Sequence, residues 1–300
     1  MSRIHEALKK AEQERAQAQA TGQAESPAQS PAEGPGVFAS VTAVAASPAG
    51  SFSSETLLSR SRQTRWNPDP RTMLFFNGTE HDPGMEEFRT LRSRLYQVRE
   101  KQPLTTVLVT SALPKEGKSF TSANLAQVIV RQHGRRALLV DADLRNPQLH
   151  NALGAEPGPG LFEYLSGEVD EYSILQRGPM ENLYFIPAGV ARANAAELLA
   201  TGRVKRLLDR LRPMFDWIII DSAPAVPVSD AAVLANDCDG VLLVVRSNST
   251  PVDAARRARR EFAERNVVGV VLNGITPDLS PYMQYYYSAY GVDTKGEARN

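Results

Sequence analysis

Two hydrophobic periods alternate along this chain, and their alternation lays out its elements. Continuous aliphatic runs occur at residues 105–110, 136–141, 182–188, 217–222, 240–245 and 267–273. Runs rich in Val, Ile and Leu, with no polar face, are the pattern of strands covered on both sides. Between them, apolar residues return at helical spacing in 117–132, 202–211 and 251–265, with a shorter stretch near Ala231. Ahead of the first strand, residues 84–100 place Phe88, Leu91, Leu95 and Val98 on one helical face. Strands alternating with helices predict an α/β fold, a doubly wound parallel sheet whose ligand lies beyond the carboxyl ends of its strands.

The pattern lapses near the amino terminus. Residues 1–17 carry Ile4, Leu8 and Ala11 at helical spacing between charges, a thin stripe that suits a solvated helix or one docked on a partner or membrane surface. Residues 18–72 are rich in Ala, Ser, Pro, Gly and Gln without a sustained period, so they read as a flexible linker. The expected organisation is therefore a short helix (1–17), a linker (18–72), a globular domain (73–276) and a carboxyl-terminal tail (277–300).

Charge and composition narrow the classes. The chain of 300 residues has 34 basic and 34 acidic side chains, so bulk charge favours no nucleic-acid partner. The single Cys238 has no internal disulfide partner, and His5, His81, His133 and His150 lack zinc-ligand spacing. No apolar run reaches the roughly 18 to 20 residues of a membrane span, and the first residues lack a signal-peptide core, so a cytoplasmic location is expected.

Candidate chemistry sits at three strand ends. The first run continues as TSALPKEGKS, and a strand, a glycine turn and Lys-Ser at the start of a helix are what a nucleoside triphosphate needs. Gly117 supplies the turn, Lys118 reaches the phosphates and the Ser119 hydroxyl ligates Mg²⁺; Ala112 stands where the usual pattern begins with glycine. The second run ends in DADLR: Asp141 and Asp143, at alternate positions, could divide magnesium binding and proton acceptance, and Arg145 could position a phosphate or pair with an Asp. Asp143 could instead simply cap the next turn. The run WIIIDSAP ends in a third acid, Asp221, a candidate for the metal. These residues predict ATP and Mg²⁺ as ligands.

Taken together, TSALPKEGKS, LLVDADLR and IIIDSAP resemble the bacterial tyrosine kinases of capsule and exopolysaccharide synthesis. The resemblance spans about residues 84–291, and the amino-terminal SRIHEALKKAE is similar to the start of free-standing relatives accompanying exosortase-type polysaccharide systems. It implies a P-loop fold of the MinD-like group and ATP-dependent autophosphorylation of tyrosine. Glu86, Arg89 and Arg92 match the family's E-x-x-R-x-x-R motif, which lies at the subunit interface of a ring-shaped oligomer. Tyr282, Tyr285, Tyr286, Tyr287 and Tyr290 match its carboxyl-terminal tyrosine cluster, the implied phosphoacceptors in a neighbouring subunit. By the same likeness, Lys115, Glu116 and Phe120 flank the bound nucleotide, Asn273 recognises adenine, and Asp141 or Asp143 is the base. A further implied partner is an inner-membrane polysaccharide co-polymerase that activates the kinase and recruits it to the membrane.

Two readings compete with this one. A ParA or MinD-type partitioning ATPase would carry a signature lysine where Leu113 stands and needs no tyrosine tail. A non-catalytic, nucleotide-gated scaffold for a polysaccharide export complex is less supported, because all the candidate catalytic groups are present. Lys115 replaces a glycine common in the related loop, and residues 193–199 lack a proline frequent there. Arg256, Arg257, Arg259 and Arg260 form a basic cluster suited to a solvated face or an acidic partner, including a phosphorylated tail.

Overall fold

A computed structural model describes residue 56 and residues 59–77, 84–190 and 195–275. The expected amino-terminal helix, most of the linker and the tyrosine cluster lie outside the described residues. Among the described residues eight strands form one sheet: β1 (Arg62–Gln63), β2 (Thr106–Ser111), β3 (Ala137–Asp141), β4 (Gln176–Arg177), β5 (Leu183–Ile186), β6 (Trp217–Asp221), β7 (Gly240–Arg246) and β8 (Val267–Asn273). Their order is β1-β4-β5-β3-β6-β2-β7-β8, and every pairing is parallel except β4 with β5.

The six predicted strands are all present, and their side chains divide by alternation. Val107, Leu139, Phe185 and Ile219 enter one core, while Leu108, Leu138, Tyr184 and Ile218 enter the other. Nine helices accompany them: α1 (Leu74–Asn77), α2 (Met85–Arg99), α3 (Lys118–Val130), α4 (Leu149–Leu153), α5 (Leu161–Ser166), α6 (Ala195–Leu199), α7 (Arg203–Leu211), α8 (Asp230–Leu234) and α9 (Val252–Glu261), counted among the described residues. α2 lies against α3, where Arg92 Nη1 donates to the Val128 carbonyl at 2.8 Å.

The boundary expected at residue 73 needs correction, because the folded unit begins earlier. β1 pairs with β4, and Trp66 is buried, donating from Nε1 to Thr64 Oγ1 at 2.9 Å and meeting Phe185 edge-on at 6.1 Å. The Asn67 and Asp69 amides bond to the carbonyls of Gly154 and Ala152. A segment of mostly polar residues thus completes one sheet edge, anchored by a single indole.

The order of the three central strands makes the site. The chain runs from β2 to β3, leaving a slot that β6 fills on its return. The three strands carrying the motifs become neighbours, with Asp141 registered opposite Asp221 and Val109 beside Asp221.

Candidate functional site: a phosphate loop and three strand-end acids

The loop between β2 and α3 is braced from within and from outside. Glu116 is 3% exposed, with Oε2 accepting the Leu113 amide at 2.9 Å and Oε1 accepting the Thr250 hydroxyl. Arg246 Nη1 donates to the Lys115 carbonyl at 3.1 Å, and Asn273 Nδ2 donates to the Glu116 carbonyl at 2.9 Å. Gly117 has φ 96°, and a Cβ there would lie 1.9 Å from Asn273 Nδ2, so conformation and space both require glycine. Lys115 also has positive φ, at 66°, which explains why glycine suits that position in related loops. The turn delivers the chain into α3, whose first amides have no helical acceptor and form an anion-binding end.

Lys118, the first residue of α3, points at the strand tips. Its Nζ lies 2.8 Å from Asp143 Oδ2 and 3.6 Å from Asp221 Oδ2, and it donates to Ser119 Oγ at 3.2 Å. Ser119 Oγ donates to Asp221 Oδ2 at 2.5 Å, and Ser122 Oγ lies 3.1 Å from Asp221 Oδ1. Asp141 is turned further inward, accepting the Asp143 amide on Oδ1 at 3.2 Å and the Leu149 amide on Oδ2 at 3.1 Å.

Burial and concentrated charge perturb Asp141, Asp221 and Lys118. Burial and the neighbouring Asp221 raise the Asp141 carboxyl well above the ordinary carboxylate range, outweighing the Leu149 amide and Lys118. Asp221 is also raised by burial, against the opposing pull of Lys118 and Ser119. Burial alone would depress Lys118, yet Asp221 and Asp143 raise it above the lysine norm. The ammonium is therefore fixed by its partners. A carboxylate, a hydroxyl and a second carboxylate beside a phosphate loop are hard oxygen donors of the kind Mg²⁺ takes with one or two protein ligands. Among the described residues no group of three or more acids, histidines or cysteines is placed to hold a metal ion by itself.

The remaining predicted residues fall around this centre. Ala112 is buried, with its carbonyl accepting the Val226 amide. Phe120 meets Phe88 edge-on at 5.6 Å, placing its ring against α2. Of the two roles expected for Arg145, the structure shows the ion pair: Nε and Nη2 grip Asp230 at 2.7 and 3.0 Å. Glu86 and Arg89 pair on the exposed side of α2 at 3.0 Å. Sequence reading missed Ser122, Arg246, Thr250 and Asp230. Ser122 follows Lys118 by one helical turn and could have been found; Arg246 and Thr250 reach the loop across more than a hundred residues of chain, with no local signature.

Fold and loop together define a P-loop NTPase. A family model described as an AAA domain matches residues 115–254. The tyrosine-protein kinase YwqD of Bacillus subtilis is 34% identical over 209 residues, covering 69% of this chain and 86% of that one. The chain belongs to the family of bacterial tyrosine-protein kinases. The putative tyrosine-protein kinase EpsB of Ralstonia nicotianae is 36% identical over 225 residues, covering 72% of this chain. This chain spans only 30% of the length of that relative. The kinase domain of the Escherichia coli tyrosine kinase ETK superposes with a TM-score of 0.65 at 30% identity, covering 70% of this chain and 82% of that domain. MinD of Pyrococcus horikoshii, at 22% identity and a TM-score of 0.50, shares the fold. No helix among the described residues is long and apolar enough to cross a membrane.

Proposed function

We propose that the chain is an ATP-dependent protein-tyrosine kinase that transfers the γ-phosphoryl group to tyrosines in the carboxyl-terminal cluster of a neighbouring copy. The observation that carries this reading is the convergence of Lys118 and Ser119 on Asp143 and Asp221, between 2.5 and 3.6 Å, at the mouth of an anion-binding helix. Loop amides and the start of α3 take the β-phosphate, and Lys118 moves its charge from the carboxylates to the β and γ oxygens. Ser119 and Asp221, with Asp143 nearby, would hold Mg²⁺, which neutralises charge on the triphosphate. Asn273, whose Nδ2 bonds the Glu116 carbonyl at 2.9 Å, would meet the adenine.

The tyrosine oxygen forms the new P–O bond as the bond between the γ-phosphorus and the β–γ bridging oxygen breaks and ADP leaves. The phenol proton passes to one of the two acids at the end of β3, Asp141 or Asp143. Glu86, Arg89 and Arg92 form the contact between copies in a ring, and a membrane-embedded polysaccharide co-polymerase activates the assembly. Exopolysaccharide synthesis or export is the regulated process. Absence of the chain from the membrane fraction of its native cell would count against that partner.

Mixing two defective copies tests transfer between subunits. A Lys118→Ala chain with an intact tail is incubated with Mg·ATP and a copy whose five tail tyrosines are Phe. Phosphotyrosine should appear in the Lys118→Ala chain alone. Hydrolysis of ATP without label would favour a partitioning ATPase, and no turnover would favour a scaffold.

A further inference from the structure

The far edge of the sheet carries a feature that phosphoryl transfer does not use. β8 is the last strand in the sheet, and between it and α9 runs a groove of about 410 Å³. Leu243 and Val245 of β7 with Val270 and Leu272 of β8 form its apolar floor, and Arg256 and Arg259 stand on the helix side. The floor is open: Val270 is 60% exposed and Leu272 53%. Singly exposed aliphatic residues are ordinary, but two in alternation beside a groove form a continuous strip. The arginines above it are weakly engaged. Arg256 lies 3.8 Å from Asp253, with the two side chains 72% and 93% exposed, a pair that contributes little. Arg259 Nη1 reaches the Phe262 carbonyl at 3.3 Å.

We propose that this groove is the docking site for the chain's own carboxyl-terminal segment, residues 280–291, once its tyrosines carry phosphate. The inference rests on the kinase reading above and adds a destination for the product. Phenyl rings need an apolar floor, and phosphates need guanidinium groups that can grip oxygen pairs; the groove places both on one surface. β8 itself leads into the segment, since Asn273 ends the strand and residues 276–300 follow. Seven residues beyond Ile275 reach Tyr282 and span about 23 Å when extended, longer than the roughly 15 Å of a ten-residue helix such as α9. Tethering at the groove's own strand gives the segment a high effective concentration there. Each phosphate adds about 1.5 to 2 negative charges near pH 7, so only the modified tail brings the charge that Arg256 and Arg259 lack. Modification thus moves the tail onto its own subunit and out of its neighbour's site.

Synthetic peptides separate this idea from the kinase reading, because their phosphates do not depend on the chain's own catalysis. The full chain with its five tail tyrosines changed to Phe is titrated into fluorescein-labelled 280–291 peptide in three forms: phosphotyrosine, unmodified, and phosphoserine at the same positions. The phosphotyrosine form should bind about tenfold or more tightly than the other two, since it alone joins ring and charge. Arg256→Glu/Arg259→Glu should lose about tenfold, and Val270→Ser should weaken binding while leaving thermal unfolding near that of the parent. Equal binding of phosphorylated and unmodified peptides, or unchanged binding by the arginine variant, overturns the docking site. So does retention on phosphatidylglycerol vesicles, lost in the arginine variant, without peptide binding; the groove would then serve a membrane. Tail labelling with no peptide binding rejects the docking site alone, and peptide binding with no tail labelling rejects the kinase reading alone.

Discussion

Three buried carboxylates and a lysine share a few ångströms, and their mutual charge is where single residues matter most. Asp221 has its pKa raised by burial, so the folded carboxyl keeps its proton at pH values where the unfolded one, near 3.8, has lost it. The folded state then binds more protons than the unfolded state, and stability falls as pH rises from about 4 through the raised value. Lys118, raised as well, stays charged throughout this window and adds no slope of its own. Asp221→Asn removes the titration. Without Mg·ATP, its melting temperature relative to the parent should climb steadily with pH across that window, and a constant or narrowing difference in thermal melts would contradict the assigned shift. The placement of these residues was largely legible, because Asp141 and Asp221 end readable strands, Asp143 lies two residues beyond one, and Lys118 and Ser119 open the helix that follows another. The loop's braces were not. Glu116 depends on Thr250, and Lys115 on Arg246, through contacts that topology alone brings about.

Whole elements follow a similar division. Six strands were visible because each reads as an uninterrupted aliphatic run: five lie largely buried between two layers, and the edge strand β8 keeps the same composition although Val270 and Leu272 are exposed. α4, α5 and α6 were not read, since helices of five or six residues span little more than one turn and leave no period to detect. β1 and β4 hold two residues each, and what attaches the first to the fold is Trp66, against which a side chain at Gly178 would collide at 2.2 Å. Trp66→Ala should therefore cost about 3 to 5 kcal/mol in urea unfolding, the usual range for truncating a buried indole. A change below about 1 kcal/mol would mean that the 62–69 segment rests on the sheet without supporting it.

On the scale of the molecule, the sheet order explains why three motifs spread over more than a hundred residues act as one site. Only when β6 enters between β2 and β3 does Asp221 face both the phosphate loop and Asp141. Alternating elements predicted the fold class but not that strand order, because hydrophobic pattern encodes burial and not which strands are neighbours. The opposite edge, where β8 and α9 form an arginine-lined groove, is one step from the tyrosine segment in sequence. On the proposed reading, substrate, catalytic centre and product site belong to one chain, and subunits would have to meet for the substrate of one to enter the centre of another.

Incubating the purified full chain with Mg·ATP and mapping phosphotyrosine by mass spectrometry tests the central claim most directly. Phosphate should appear on Tyr282, Tyr285, Tyr286, Tyr287 or Tyr290 and fall by at least about a hundredfold in Lys118→Ala, the loss expected when a main electrostatic stabiliser of the transferring group is removed. A tail without phosphate in the parent, or labelled equally with and without Lys118, would contradict it.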